Sequence, residues 1–216
     1  MACEPALCVC GLAAEARIAR RAGFAAVIGA GDLPGGARCL VSFGIAGGLD
    51  PDLRPGDVIL TDAVVGEAEA WRGGMQPLLG ELARRVGARD GPVFGAGAIL
   101  ATPAAKARLH RDTGALAVDL ESAAVARAAA ARGIPFVVLR AIADPAERDL
   151  PSAALLPLGA GGRPGYFRIL RSVWRQPGQL PGLAGLAREA RQALAALAEP
   201  AAALHRMLEA SSSPSV

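Results

Sequence analysis

Residues 121–144 read ESAAVARAAAARGIPFVVLRAIAD, and this stretch decides the fold. Residues 121–132 are Ala-rich, and Ala is the strongest helix former. Gly133 stands at the C′ position and Pro135 just beyond, the expected helix stop. Residues 136–142 are then apolar almost without interruption, the pattern of a strand buried on both faces. Asp144-Pro145 breaks it, since the residue before a proline is restricted. A helix feeding a doubly buried strand is the unit of an α/β layer fold.

Working outward, the same alternation continues. Residues 7–10 form a short apolar strand ending at Gly11, and 12–21 have helical character. Residues 38–43 are a second strand, ending in the turn Gly44-Ile45-Ala46-Gly47-Gly48. Residues 50–57 carry two prolines and a glycine and read as loop. Strand 58–61, helix 78–86 closed by Gly87, strand 92–100, helix 103–112 and strand 117–120 follow. Beyond 150 the chain is rich in Pro, Gly and Arg up to 182. A helix at about 183–198, a short tail helix and a Ser/Pro end complete it. The expected fold class is α/β: a single-domain three-layer sandwich, a twisted mixed β-sheet with helices on both faces. The domain is expected to span 1–210, with 151–182 an Arg-rich segment of its own character and 211–216 a disordered tail.

Composition bounds the rest. The 216 residues suit one compact domain. Hydrophobic residues make up 52% and aromatics only 4%, so Ala, Leu and Val must build the core, and short Ala side chains let helices lie close to a sheet. A net charge of +3 is too weak to argue for nucleic acid as a partner. Lys106 is the only lysine, a skew that a GC-rich genome accounts for. Cys3, Cys8, Cys10 and Cys39 include no CxxC pair and no nearby His, so no metal site is implied. They fit a reduced cytoplasm, and no signal peptide or membrane span is evident.

In open α/β sheets ligands bind beyond the carboxyl ends of strands. Four features fall there: Gly11 with Glu15, the turn Gly44–Gly48, Asp119-Leu120-Glu121, and Asp144. A bare glycine turn lets a ligand approach backbone N–H groups, or is simply a tight turn. An acid past a buried strand can move a proton in a desolvated pocket, or merely cap the next turn.

Together these residues resemble a family. Val41-Ser42-Phe43-Gly44-Ile45-Ala46-Gly47-Gly48-Leu49 with Pro55-Gly56-Asp57-Val58-Ile59 resembles the glycine segment of methylthioadenosine/adenosylhomocysteine nucleosidases and their purine/uridine phosphorylase relatives. Ala117-Val118-Asp119-Leu120-Glu121-Ser122 resembles their ribose-binding segment. Residues 136–144 resemble the segment that carries their catalytic aspartate. The blocks cover roughly residues 5–150 in family order. The short middle and Arg-rich segment look closest to the hopanoid-associated branch, thought to release adenine from adenosylhopane.

The resemblance implies a nucleoside phosphorylase-like fold and roles for particular residues. Asp144 would protonate the leaving purine and Glu121 would hold the ribose hydroxyls. Strict spacing from Gly11 puts Ala16 where nucleosidases carry their water-activating glutamate; a one-residue shift in the loop assigns that role to Glu15. Leu120, Asp119, Gly44, Ile45, Gly47 and Ile99 are the remaining substrate-binding candidates. Phosphorylases of the superfamily carry an arginine-bearing Gly-Asp-Pro loop and a hydroxyl in the glycine turn. Here Gly11-Leu12-Ala13-Ala14 and Ile45 replace them, which favours hydrolysis, with Arg17 or Arg140 left as possible phosphate ligands. No cofactor is implied. The expected partner is a small-molecule or lipid-linked nucleoside, and relatives are commonly homo-oligomers. Phosphorolysis is the rival reaction, and a non-catalytic partner of lipid-synthesis enzymes the rival from another class.

Between Asp149 and Glu189 there is no acid. On a helical wheel over 166–175, Arg168, Arg171 and Arg175 share one face. Tyr166, Phe167, Ile169, Leu170, Val173 and Trp174 fill the other. That suits either a peripheral contact with the inner membrane or an apolar arc packed on the protein's own sheet.

Overall fold

The computed structural model describes residues 5–31, 33–150 and 180–211. The amphipathic stretch 166–175, Cys3 and the tail beyond 211 lie outside the described residues. The elements run β1 (Ala6–Cys10), α1 (Ala13–Arg21), β2 (Ala25–Ile28), β3 (Cys39–Gly48), β4 (Val58–Thr61), β5 (Ala63–Val65) and β6 (Ala70–Arg72). After them come α2 (Gln76–Val86), β7 (Val93–Gly95), α3 (Pro103–Thr113), β8 (Ala117–Asp119), α4 (Ser122–Arg132), β9 (Phe136–Asp144), α5 (Leu180–Ala196) and α6 (Ala198–Ala210). The fold is the expected mixed α/β layer structure.

All nine strands join one sheet, in the order β2-β1-β3-β8-β7-β5-β6 with β9 between β3 and β4. β1, β3 and β9 are parallel; β4 runs antiparallel to β9, and β8 antiparallel to β3. The central strands are apolar on successive residues because each face has its own core. Val137, Leu139, Ala141 and Ala143 of β9 join a cluster with Ala16 and Ala19 of α1, Leu79 and Leu82 of α2, Ala193 of α5 and Leu204 of α6. Phe136, Val138 and Ile142 face the opposite cluster with Val125, Ala126 and Ala129 of α4. The helix residues at these contacts are largely alanines, as the composition requires.

Three local expectations are corrected. β3 does not stop at Phe43. It runs through Gly44, where φ is +152°, and continues to Gly48 because Gly47 and Gly48 pair with β8, while the register with β9 shifts between Ala46 and Gly47. Gly44–Gly48 is therefore strand, not a turn. β7 is three residues long instead of nine. A Cβ at Gly95 would lie 2.5 Å from Ala123 Cβ, so the strand is pressed onto α4, and Ala96 then donates to Asp119 O at 2.8 Å. β2 was not expected at all.

Candidate active site

The ends of β1, β8 and β9 and the far half of β3 surround a cavity of about 560 Å³, of the size that holds a small ligand. Glu15, Ile45, Gly47, Ile99, Asp119, Leu120, Glu121 and Asp144 all line it. Gly44 does not. A Cβ there would stand 2.3 Å from Glu15 Oε1, so the glycine makes room for a carboxylate.

Glu15 enters from the first turn of α1. Its Oε2 accepts from Gly11 N at 2.9 Å and Leu12 N at 2.8 Å, and its Oε1 accepts from Ile45 N at 2.8 Å. The first two bonds satisfy N–H groups that a helix start leaves unpaired, which is why a glutamate at the third helical position folds back here. Ala16, the strict-spacing candidate, is buried in the core. Burial raises the Glu15 pKa, while Arg140 and the backbone donors oppose the rise. The neighbouring Cys10 thiol is pushed up to about 12, first by burial and then by Glu15, so it is an inert core residue.

Arg140 is fully buried on the α4 face of β9. Its Nε lies 2.7 Å from Asp119 Oδ2, an ion pair without a directed hydrogen bond. Nη2 donates to Ser42 Oγ at 2.7 Å and to Glu121 Oε2 at 3.2 Å, and Nη1 donates to Ile45 O at 3.3 Å. Asp119 is equally committed: Oδ1 accepts from Glu121 N and Ser122 N, and Oδ2 accepts from the Ser122 hydroxyl. Asp119 thus starts α4 and holds Arg140 from the wall of the cavity. Among the described residues Glu121 Oε1 has no hydrogen-bond partner, and Gly11 clears its space, since a Cβ there would meet Glu121 Oε1 at 2.4 Å. Arg140 faces Asp119, Glu121, Ser42 and Ile45 and is not among the lining residues, and Arg17 is exposed and not among them either.

Asp144 closes β9 beside Gly47, its register partner on β3. Glu15 bonds Ile45 and Asp144 flanks Gly47, two residues apart on one strand and so separated by roughly 7 Å of strand rise. Asp144 Oδ2 accepts from Lys106 Nζ at 2.5 Å. Burial raises the Asp144 pKa; Lys106, then Arg148, counteract part of the rise. Sequence reading missed Lys106, the one cation lining the cavity among the described residues. The available signal was its standing as the sole lysine in a chain that otherwise uses arginine. The remaining walls are mostly aliphatic: Leu12, Ile45, Leu100, Val118, Leu150 and Leu186. Among the described residues, no group of three His, Cys, Asp or Glu side chains is arranged to hold a metal.

A sequence model of the phosphorylase superfamily matches residues 19–155. The chain belongs to that superfamily. It is 36% identical over 125 residues to futalosine hydrolase of Streptomyces coelicolor, covering 49% of this chain and 53% of that protein. It is 28% identical over 157 residues to 5′-methylthioadenosine/S-adenosylhomocysteine nucleosidase of Mycobacterium tuberculosis, covering 53% of this chain and 62% of that one. The chain thus spans little more than half the length of these curated relatives. Among solved structures, the 5′-methylthioadenosine/S-adenosylhomocysteine nucleosidase of Neisseria meningitidis in complex with methylthio-immucillin-A superposes with TM-score 0.64 at 15% identity, covering 96% of this chain and 99% of that one. Futalosine hydrolase of Helicobacter pylori gives 0.60 at 15%, covering 92% and 97%. These superpositions establish a phosphorylase-superfamily fold over nearly the whole chain.

Proposed function

We propose that the protein hydrolyses the N-glycosidic bond of a 5′-substituted adenosine and releases adenine. One observation carries the reading. The cavity places three buried acids, Glu15, Asp119 and Asp144, beside Glu121, and Lys106, the one cation lining it among the described residues, is taken up by Asp144 and two carbonyls and so offers phosphate no donor. Three carboxylates (Glu15, Asp119 and Glu121) act on the single guanidinium of Arg140, an excess of negative charge suited to a ribosyl group that becomes cation-like as its bond to the base breaks. Glu15 takes a proton from the attacking water, Asp144 gives one to the departing purine, and Glu121 holds the ribose hydroxyls through Oε1. The names of the relatives, all nucleoside hydrolases, support the same reading.

The aliphatic walls favour an apolar 5′ substituent, and adenosylhopane is the substrate we propose. Ile99 and Leu120 are 43% and 47% exposed, apolar surface that a large hydrocarbon would cover. The proposal includes residues 166–175 as a peripheral membrane contact, because water does not dissolve a polycyclic lipid usefully, and it includes a homo-oligomer. Among the described residues no helix is long and apolar enough to cross a membrane. The test is incubation of pure protein with adenosylhopane and with methylthioadenosine, each with and without phosphate. Free sugar formed at equal rates in both buffers is the expected result; a sugar phosphate as the product gives the reaction to phosphorolysis.

A further inference from the structure

Lys106 is the one buried residue of α3, and its ammonium meets three acceptors: Asp144 Oδ2 at 2.5 Å, Pro145 O at 2.9 Å and Arg148 O at 3.4 Å. An ammonium has three protons and accepts nothing, so this set occupies it and leaves no donor for a ligand. Pro145 O also accepts from Arg148 N at 3.2 Å. The lysine therefore closes the turn that follows β9 and fixes the strand end from which Asp144 projects. Leu150 N donates to Ala101 O at 2.9 Å, tying the far side of that turn to the segment just before α3. A buried charge with this many directed contacts is a built feature, since a lysine is almost never fully buried unless paired.

We infer that Lys106 is the positioning residue of the leaving-group step: it pins Asp144 Oδ2, leaves Oδ1 for the purine, and stabilises the carboxylate that remains once the proton has gone. The inference rests on the reading of Asp144 as the leaving-group acid. In that step the bond between C1′ and the purine nitrogen breaks with its electron pair going to the base. The Asp144 proton moves to the purine, water bonds to C1′, and the water's proton goes to Glu15. Atoms and charges balance with no further reactant, and solvent exchange resets the two carboxyls. The charged groups around Asp144 are Lys106 from α3 and Arg148 from the turn, with Glu189 of α5 holding Arg148. Desolvation already outweighs the two cations there, and removing Lys106 leaves it opposed by Arg148 alone.

The test compares Lys106→Met, Lys106→Arg and Asp144→Asn with methylthioadenosine as probe. In Lys106→Met we expect kcat to fall on the order of tenfold or more, as when a general acid loses part of its effect. KM should move less, and the basic limb of the pH profile should shift to higher pH. Lys106→Arg, which keeps the charge, should hold that limb near its wild-type position. Wild-type kcat and an unshifted limb in Lys106→Met, beside an inactive Asp144→Asn, overturn the inference alone. Wild-type turnover in Asp144→Asn overturns the underlying assignment. Because the chain has one lysine, protein labelled with ¹³Cε-lysine gives one ε-carbon signal, readable whether or not the variants fold or the probe is cleaved. It should respond to acid as Asp144 protonates. A signal in the wild-type protein that stays unmoved through that range refutes the pairing.

Discussion

Gly44→Ala separates the position of Glu15 from its presence. An alanine Cβ at 44 would stand 2.3 Å from Glu15 Oε1 and 2.4 Å from its Cδ. Restoring van der Waals contact requires the carboxylate to retreat by roughly 1 Å, which pulls Oε1 from Ile45 N. The clash is with the end of a side chain, so the fold survives it. The larger structural cost is backbone: φ is +152° at this position, and a non-glycine residue held in such a region costs on the order of 1–3 kcal/mol. At this chain length each kcal/mol is worth about 2–4 °C of Tm, so we expect a fall of roughly 2–12 °C. Activity should suffer more, because a 1 Å misplacement of a catalytic group can cost about 10²-fold. A thermal melt and a base-release assay on the same preparation read the two effects. Gly47→Ala is the milder comparison, since its nearest contact is Asp144 at 3.3 Å. A Gly44→Ala protein with the expected melt but wild-type base release would show that Glu15 is not the base.

Three further outcomes follow. Glu121→Gln should impair cleavage of a ribonucleoside far more than of its 2′-deoxy analogue, since the analogue lacks a hydroxyl for the carboxylate to hold; equal losses count against that role. The pH profile should be bell-shaped. Hydrolysis needs Glu15 ionised and Asp144 protonated, so rate climbs as pH rises through the Glu15 pKa and falls as it passes that of Asp144, both displaced upward chiefly by burial; a rising limb that persists in Glu15→Gln rejects Glu15 as the base. Gly80→Ala should stabilise by about 0.5–1 kcal/mol, read as a higher Tm with unchanged turnover, because Gly80 lies inside α2 with nothing within 4 Å of an added Cβ.

The layer architecture and the site acids were readable because both lie at strand ends that sequence marks clearly. Gly133 with Pro135 bounds α4, and the apolar run before Asp144 can only be a doubly buried strand. The features that escaped have physical reasons. β2 is four residues at the sheet edge and half exposed, too short for periodicity to register. The glycines from 44 to 48 look like a turn because glycine permits one. In the fold they serve close approach instead: Gly44 to Glu15, Gly47 to Asp144. Lys106 was hidden by the composition itself, since an arginine-rich chain makes a single lysine look like codon usage. Only its burial against Asp144 marks it out.

The two proposed catalytic carboxyls illustrate how one cavity sets opposite tasks for the same functional group. Glu15 receives three backbone N–H bonds and the field of Arg140. Every one of those favours its charged form, which is the form a base needs. Asp144 receives no backbone donor among the described contacts; its one strong partner is the Lys106 ammonium. A carboxyl held by a single cation can pass its proton to a base and become a stabilised anion. A carboxyl held by three fixed dipoles resists protonation until an attacking water is deprotonated beside it. The division of labour therefore comes from backbone geometry at Gly11, Leu12 and Ile45 on one side and from one side chain on the other. Replacing Lys106 should disturb the acid and leave the base untouched, whereas Gly44→Ala should do the reverse.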